Sequence, residues 1–486
     1  MSDLYRRAIA NVMRLGLSLM TTMGLGLILR ILLPRVFGVE QMGLFYFAES
    51  ICYITFTFLS LGVHAYIHRE IPGRVEEAKR SFWPVLQFKS IYAIILGLIL
   101  YLYLLFKGYD SVARNLIMVF AIHHFLQTIV IEYMKPYLLA LDHVSLVAKI
   151  EISSKIIQVL GVVGVILLQL DLYQVVWAFA LTSLVPVLMI LVFVHHHGWL
   201  QQKFQWSICS DVIKMGLPFF INGALLTLYS NIDIAILGEI GNQVEVGLYG
   251  AAVKLKGVLL MVVPLLSSAI LPILSRTKRD DEQAYEQFLC HLYRILVVAS
   301  FPAAAYMVLF SQEIVSLLYG AEFIESAWIL SILAPVVLFT YINVFLSMNM
   351  TLVSNGKLLT ILTLLAVALN AILNFVLIPI GLEWRAVGGG GAAASLTTLL
   401  AEALTFVGLL YLTPTRILRG RTLLETILVA IPLAAMLFAL EQLMGLSLLH
   451  KCFAALAVLF YMILSGMIRR SDLLEIRQLI KAGNKS

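Results

Sequence analysis

Long apolar segments recur along the whole chain, and they limit its fold more than any other feature of the sequence. A helix needs about 20 mostly apolar residues to cross a bilayer, because it rises ~1.5 Å per residue through roughly 30 Å of hydrocarbon. Such segments occupy about residues 8–33, 42–66, 82–106, 112–134, 144–169, 172–195, 212–238, 247–273, 290–311, 325–350, 358–381, 386–411, 422–441 and 446–468. Backbone groups in lipid must be paired within the segment. We therefore predict an all-α integral membrane protein with about 14 transmembrane helices.

The composition excludes a water-soluble protein. Hydrophobic residues make up 61% of the 486 residues, charged residues only 13%, and the mean hydropathy is +0.95. A soluble domain carries about twice that charged share. The cysteines Cys52, Cys209, Cys290 and Cys452 are scattered without a CxxC pair, so neither a disulfide framework nor a metal site is predicted.

Lysine and arginine are distributed unevenly between the two sets of loops. One set of loops and the C-terminal tail are rich in them, whereas the opposite loops hold only Arg35, Lys107, Arg114 and Arg385. Because positively charged loops stay in the cytoplasm, we expect cytoplasmic N and C termini. The net charge of +6 then reflects topology, and no nucleic-acid partner is predicted.

The loops are too short to hold a soluble domain. The longest are about 67–81, 196–211 and 274–289, and no GxxxxGK[ST] motif is present. An ATP-binding domain and a soluble catalytic domain are therefore excluded, and we expect the protein to act within the bilayer.

An internal repeat indicates two similar lobes. The segment FGVEQMGLFYFAESI begins at Phe37, and the similar segment GNQVEVGLYGAAVKL begins at Gly241. An even number of predicted spans separates them, so the copies face the same way. We predict a six-helix lobe over 1–200, a second over 201–412, an appended helix pair over 413–470 and a cytoplasmic amphipathic tail over 471–486. Two parallel-related lobes around a central cavity are typical of alternating-access transport, and a duplicated scaffold is the alternative.

Basic residues inside the predicted spans suggest an anion-binding cavity. A charge near the bilayer centre costs at least ~2.5–3.5 kcal/mol, so such residues usually face a cavity or a partner. The candidates are Arg30, Lys89, Lys155, Lys254 and Arg294. They would bind the diphosphate of a membrane-borne lipid. Alternatively, Lys89, Lys254 and Arg294 snorkel to helix ends, and Glu151 neutralises Lys155 four residues away.

Acidic residues inside the spans suggest ion coupling. Glu49, Asp233 and Glu402 are candidates for binding H⁺ or Na⁺, and pairing with a cation in the cavity is the alternative. His123 and His124 are interpreted as packed polar residues rather than proton relays. No cofactor and no His/Cys/Asp metal site are expected.

The tetraglycine of residues 388–391 opens the predicted span at 386–411. It lacks the strand context of a nucleotide-binding loop. Small residues instead predict close helix packing or a bend in lipid.

Four motifs together resemble a known superfamily. They are FGVEQMGLFYFA from Phe37, DIAILG from Asp233 followed by VGLYGAAVKL from Val246, LYGAEF from Leu318, and GAAAS from Gly391. In this order the chain resembles a bacterial polysaccharide or O-antigen flippase of the multidrug/oligosaccharidyl-lipid/polysaccharide exporter superfamily. The glycine run before Gly391 departs from the pattern and leaves the register of that helix open.

The resemblance implies a function. Flippases of this kind move lipid-diphosphate-linked glycans, built on undecaprenyl diphosphate, from the inner to the outer leaflet of the bacterial inner membrane for surface polysaccharide biosynthesis. The implied partners are this substrate, membrane lipids and polysaccharide polymerase machinery. Lys254 lies in the matching AAVKL motif, so the resemblance implies that it lines the cavity.

Other functions compete with this prediction. A lipid II flippase would share the helices and the basic cavity, whereas an ion-coupled multidrug exporter should have an acidic one. A membrane polymerase or glycosyltransferase would need a large outer loop, which we do not find, so an enzyme is not predicted. A scaffold without transport would leave the intramembrane charges unexplained.

Overall fold

The computed structural model describes residues 3–200, 202–353, 356–413 and 416–465. Every regular element within these ranges is helical, and no β-strand occurs in them. The chain forms two compact units, Met1–Gly238 and Glu239–Ser486. The finer division into lobes at 1–200 and 201–412 with appended helices at 413–470 stays a prediction, and the tail predicted at 471–486 lies outside the described residues.

The first unit contains the first eight helices. They are α1 (Asp3–Thr57), α2 (Val63–Glu70), α3 (Val75–Phe106), α4 (Ser111–Ile129), α5 (Lys135–Ala140), α6 (Val144–Leu167), α7 (Leu172–His196) and α8 (Trp206–Ile240), which ends just beyond the unit boundary. A π-helical turn, Val130–Met134, joins α4 to α5. Helix α1 packs on α4 and α6, and α7 packs on the same two helices, so these four form the core of the unit.

Helix α1 contains the first two predicted spans. At Gly38 the backbone leaves the helical region (φ 72°, ψ 178°), so a glycine divides the helix into two arms. The second arm ends at Thr57, not at residue 66 as predicted. Leu61 (φ 48°) and Gly62 (φ 66°) are left-handed there and turn the chain into α2, which an apolar run does not reveal.

The second unit contains the remaining helices. They are α9 (Gln243–Leu260), α10 (Val262–Asp280), α11 (Glu282–Leu309), α12 (Ser311–Tyr319), α13 (Ser326–Val353), α14 (Lys357–Trp384), α15 (Gly389–Leu412), α16 (Arg416–Phe438), α17 (Leu440–Met444) and α18 (Leu448–Leu464). Helix α13 packs on α9, α11 and α15, while α14 packs on α15 and both α16 and α18 pack on α11. The core of this unit therefore surrounds α13.

Side-chain caps explain several helix starts. Asp110 accepts a hydrogen bond from the Ala113 amide at 3.2 Å before α4, and Asn242 accepts one from the Glu245 amide at 2.9 Å before α9. Asp281 accepts from the first turn of α11. Such caps satisfy amides that lack a partner in the helix. Asp281 also places a helix start inside the stretch 274–289 that we predicted to be a loop, and that stretch is mostly helical.

The membrane-spanning character predicted from the sequence is confirmed. Within the described ranges, eleven helices are long and apolar enough to cross a bilayer, and the first of them, Met13–Thr57, has 45 residues. Two shorter apolar helices cover Leu423–Phe438 and Leu448–Leu464. When the two arms of α1 are counted separately and the shorter helices are included, this agrees with the predicted fourteen.

Candidate functional site

Three of the predicted site residues come together in the first unit. Arg30 lies on the first arm of α1, Glu49 on the second arm, and Lys155 on α6. Arg30 and Glu49 both lie close enough to Lys155 to interact with it electrostatically. We call Arg30, Glu49 and Lys155 the charged cluster. It holds two cations and one acid, so its formal charge is positive.

The contacts of Lys155 exclude the alternative in which Glu151 neutralises it. Its ammonium donates to Gln158 Oε1 at 2.7 Å, and a Cβ at Gly26 would lie 3.8 Å from its nitrogen. Glu151 does not neutralise Lys155, because it pairs with Lys135 and accepts a hydrogen bond from Ser18 at 2.8 Å. The alternative in which Glu151 pairs with Lys155 is therefore wrong, and the cationic charge of Lys155 stays available to the charged cluster.

Two histidines of α4 border the charged cluster. His123 Nδ1 lies 2.7 Å from Ser183 Oγ and 3.1 Å from the Phe179 carbonyl oxygen on α7. The ring of His124 packs on Tyr53 with centroids 4.2 Å apart. These contacts agree with the interpretation of both rings as packed polar groups, and His123 is also within electrostatic range of Glu49.

Lys89 has a different environment from the charged cluster. It is fully buried on α3. Its ammonium donates to the carbonyl oxygens of Leu59 at 2.5 Å and Ser60 at 3.1 Å. Both carbonyls lie in the turn between α1 and α2, where the Ser60 oxygen also accepts from the Val63 amide at 3.1 Å. The geometry shows a cap on the chain reversal before α2, and a role for Lys89 in substrate binding stays a prediction.

Replacing Lys89 with methionine should lower the free energy of unfolding by about 3 kcal/mol, because the buried Leu59 carbonyl and the partly buried Ser60 carbonyl lose a charged donor. The measurement is thermal unfolding of the full-length protein in nanodiscs. Lys79→Met is the matched control, since Lys79 pairs with Glu76 at the surface of the same helix and should change little. A variant as stable as wild type that no longer transports substrate would contradict the capping role.

Asp233 is buried on α8, with 6% of its surface exposed. Near it in the chain, the Asn231 carbonyl accepts a hydrogen bond from Ser50 at 2.6 Å. Ser50 directly follows Glu49 in the chain, so α8 reaches the second arm of α1 beside the charged cluster. The coupling role predicted for Asp233 and Glu49 stays untested by these contacts.

The predicted residues of the second unit lie on three helices. Lys254 is partly buried on α9, while Arg294 on α11 and Glu402 on α15 are buried. The Glu402 carboxylate accepts from Asn343 Nδ2 at 2.6 Å and from Thr340 Oγ1 at 3.3 Å. Neutral donors therefore hold this carboxylate against α13.

A buried polar group between α14 and α15 was missed by the sequence reasoning. Asn374 Nδ2 donates to Asn370 Oδ1 at 3.1 Å, and Thr397 Oγ1 donates to Asn374 Oδ1 at 2.8 Å. All three side chains are fully buried. Charged residues and histidines stand out in an apolar span, whereas neutral amides and hydroxyls within it carry no comparable signal in the sequence.

Glu245 is a second residue that we did not predict. It lies in the first turn of α9, and only 1% of its surface is exposed. Its carboxylate accepts hydrogen bonds from the Gly388 amide at 2.5 Å and the Gly391 amide at 2.9 Å. A carboxylate thus occupies the positive N-terminus of α15. The tetraglycine binds an internal anion, in agreement with the prediction that it is not a phosphate site.

The glycines also pack closely, as predicted. A Cβ at Gly389 would lie 2.1 Å from the Gly381 carbonyl oxygen, and one at Gly391 would lie 2.6 Å from Ile329. Gly388 is left-handed (φ 81°) and fixes the start of α15 at Gly389. The register that the sequence left open is therefore set by this glycine.

Chemically, these side chains can bind and release ions rather than transform a substrate. Within the described residues, no group of three or more His, Cys, Asp or Glu side chains is placed to hold a metal ion. The charged cluster can attract an anion, while Glu402, Glu49 and Asp233 are carboxylates that can exchange a proton or a cation.

Comparison with protein families gives two matches. The model of a family described as polysaccharide biosynthesis protein matches residues 8–278. A second model, MatE, matches residues 218–376. Among curated proteins, a probable low-salt glycan biosynthesis flippase, Agl15 of Haloferax volcanii, is 28% identical over 167 residues. That match covers 34% of this chain, and the chain spans 35% of the relative's length.

Solved structures show the same fold. The lipid II flippase MurJ in an inward closed conformation aligns with a TM-score of 0.66 at 16% identity, over 97% of this chain and 100% of that one. An inward-facing multidrug resistance MATE family transporter of the MOP superfamily aligns with a TM-score of 0.58 at 15% identity, over 82% and 98%. At these identities the similarity establishes the fold and leaves the substrate open.

Proposed function

Because the chain belongs to the polysaccharide biosynthesis protein family, whose model matches more than half of it, we propose that it is a membrane transporter and not an enzyme. Its substrate is a polyprenyl-diphosphate-linked oligosaccharide. The protein moves this lipid between leaflets by alternating access, in support of surface polysaccharide biosynthesis. We place it in a bacterial inner membrane with both termini in the cytoplasm.

The observation that carries the proposal is the positive charge of the charged cluster. Arg30 and Lys155 lie in membrane-spanning helices, where an unneeded cation costs several kcal/mol. Glu49 offsets only one of the two positive charges. A diphosphate that joins a lipid to a glycan is a compact dianion, which an arginine fork and a lysine ammonium bind well. A lumen for cationic drugs would have the opposite sign.

The remaining predicted residues have roles in the same cycle. Lys254 and Arg294 add positive charge in the second unit, and we propose that they line the cavity that receives the diphosphate. Glu402, Asp233 and Glu49 are the candidates for H⁺ or Na⁺ coupling. The side chains of Asn343 and Thr340 donate to the Glu402 carboxylate, and they would hold it in position to accept and release a cation.

A reconstituted translocation assay tests the proposal. Full-length protein in liposomes should move a fluorescent polyprenyl-diphosphate oligosaccharide to the opposite leaflet faster than protein-free liposomes do. We expect Arg30→Gln with Lys155→Gln to slow this movement about 100-fold, at about tenfold for each charged contact. The measurement is the fraction of substrate accessible to an added quencher over time.

A matched variant controls for net charge. Arg69→Gln with Arg80→Gln removes two exposed cations of the same unit and should transport like wild type. Lipid II and a cationic dye serve as competing substrates. Wild-type protein that moves only the dye, or a double variant of the charged cluster that transports normally, would refute the proposal.

A further inference from the structure

A second positively charged site lies near the N-terminal end of α1. Here α1 and the start of α6 line an open cavity of about 720 Å³. Asn11 and Arg14 line it from α1, while Asp142, His143, Ser145 and Lys149 line it from the loop before α6 and from the first turns of that helix. Its size lies within the range of small-molecule sites, about 300–1,000 Å³. We call this cavity the entry pocket.

Two cations of the entry pocket have no acidic partner among the described residues. Arg14 has a long contact of 3.5 Å to Asn11 Oδ1, and neither Arg14 nor Lys149 forms an ion pair with a described carboxylate. Asp142, the acid of the pocket, instead accepts a hydrogen bond from Asn11 Nδ2 at 2.8 Å. Burial, with a smaller effect from His197, lowers the pKa of His143, which disfavours the charged form of this ring. The net charge of the pocket is positive.

A line of polar residues leads from the entry pocket toward the charged cluster. On α1, Arg14 is followed one turn later by Ser18 and, further along the helix, by Gly26 and Arg30, and α1 packs on α6. Ser18 donates to Glu151 at 2.8 Å, and Gly26 leaves room for Lys155. The two cationic sites thus lie at successive depths along a single helix–helix contact.

We propose that the entry pocket is the docking site for the diphosphate of the lipid substrate in the cytoplasmic leaflet, from which it passes to Arg30 and Lys155. This inference rests on the proposed function and on the predicted cytoplasmic position of the α1 N-terminus. Any phosphate-ester headgroup shares the required chemistry. Two cations on two helices match the two phosphates of a diphosphate better than the single charge of an ordinary phospholipid.

Equilibrium binding tests the inference separately from transport. The probe is farnesyl diphosphate, titrated by calorimetry into full-length protein in phosphatidylcholine nanodiscs. Arg30→Gln with Lys155→Gln forms the background, so that the charged cluster does not contribute. In this background Arg14→Gln with Lys149→Gln should weaken binding about 100-fold, whereas Arg69→Gln with Arg80→Gln should leave it unchanged.

Two further arms identify the source of the phosphate. Inorganic pyrophosphate should compete only weakly, because it lacks the prenyl chain, and nanodiscs doped with phosphatidylglycerol should leave the affinity for farnesyl diphosphate within about twofold. Equal affinity with and without Arg14 and Lys149 would overturn the inference, as would full displacement by phosphatidylglycerol. In a further outcome, the substitutions abolish the binding of farnesyl diphosphate while the wild-type protein translocates no lipid-linked glycan. That outcome would refute the proposed function and retain the docking site.

Discussion

Replacing Gly62 with alanine should almost eliminate folded protein. The backbone of Gly62 is left-handed (φ 66°), and an added Cβ would lie 2.0 Å from the carbonyl oxygen of Gly216, 2.7 Å from its carbonyl carbon and 2.9 Å from the amide nitrogen of Phe220. All three are backbone atoms of α8, so no flexible side chain can move aside. The turn before α2 and helix α8 would have to separate. A cost above about 4 kcal/mol is expected for such overpacking.

The control separates this contact from backbone strain. Gly73 has a similar conformation (φ 73°), but nothing lies within 4 Å of its Cβ position. Gly73→Ala should therefore cost only about 1–2 kcal/mol, the strain of a left-handed residue. The measurement is the yield of monodisperse protein after solubilisation, together with its melting temperature. Equal yields for the two variants would show that the close approach of Gly62 to Gly216 does not occur.

The closeness of Gly62 and Gly216 also illustrates what the sequence could not predict. Apolar length identified the spans, because a bilayer imposes one length on all of them. Helix ends inside an apolar stretch leave no such mark: the second arm of α1 ends at Thr57 because Leu61 and Gly62 adopt positive φ. Likewise, the predicted single span at 247–273 is divided at Met261 between α9 and α10.

The sequence motifs identified the protein family, but they did not give the geometry of the site. The resemblance to polysaccharide flippases is confirmed by the family match over residues 8–278. The charges of the site were visible in the sequence, and Arg30, Glu49 and Lys155 do lie together. The partners of these charged residues could not be read from the sequence. A charge in lipid is stabilised by a partner, and that partner can lie far along the chain.

In the second unit, Lys451 is another charged residue whose partner could not be predicted from the sequence. It is 1% exposed and pairs with Glu313 at 2.8 Å, joining α18 to α12. We did not predict it, since it occurs near the start of a short apolar stretch and its acid lies 138 residues earlier. The i,i+4 spacing rule offered Lys155 as one alternative partner for Glu151, whereas in the structure Glu151 pairs with Lys135 in another helix.

Glu245→Ala should destabilise the second unit by about 3 kcal/mol or more. The substitution leaves the amides of Gly388 and Gly391 without their acceptor, and each hydrogen bond to a charged group contributes about 1.5–3 kcal/mol. It also removes the negative charge at the N-terminus of α15. Because three glycines begin this helix, their low helix propensity makes its first turns especially dependent on the carboxylate.

A graded series distinguishes the cap from general loss of an acid. Glu245→Gln keeps one oxygen acceptor and loses the charge, so its melting temperature should lie between those of wild type and Glu245→Ala. Glu282→Ala removes an exposed acid from the first turn of α11, where only a weak interaction with the helix dipole is lost, and it should melt within about a degree of wild type. If Glu245→Ala melts like Glu282→Ala, the tetraglycine turn holds its conformation through helix packing alone, and the close contacts of Gly381 with Gly389 would carry the stability that we assign to the carboxylate.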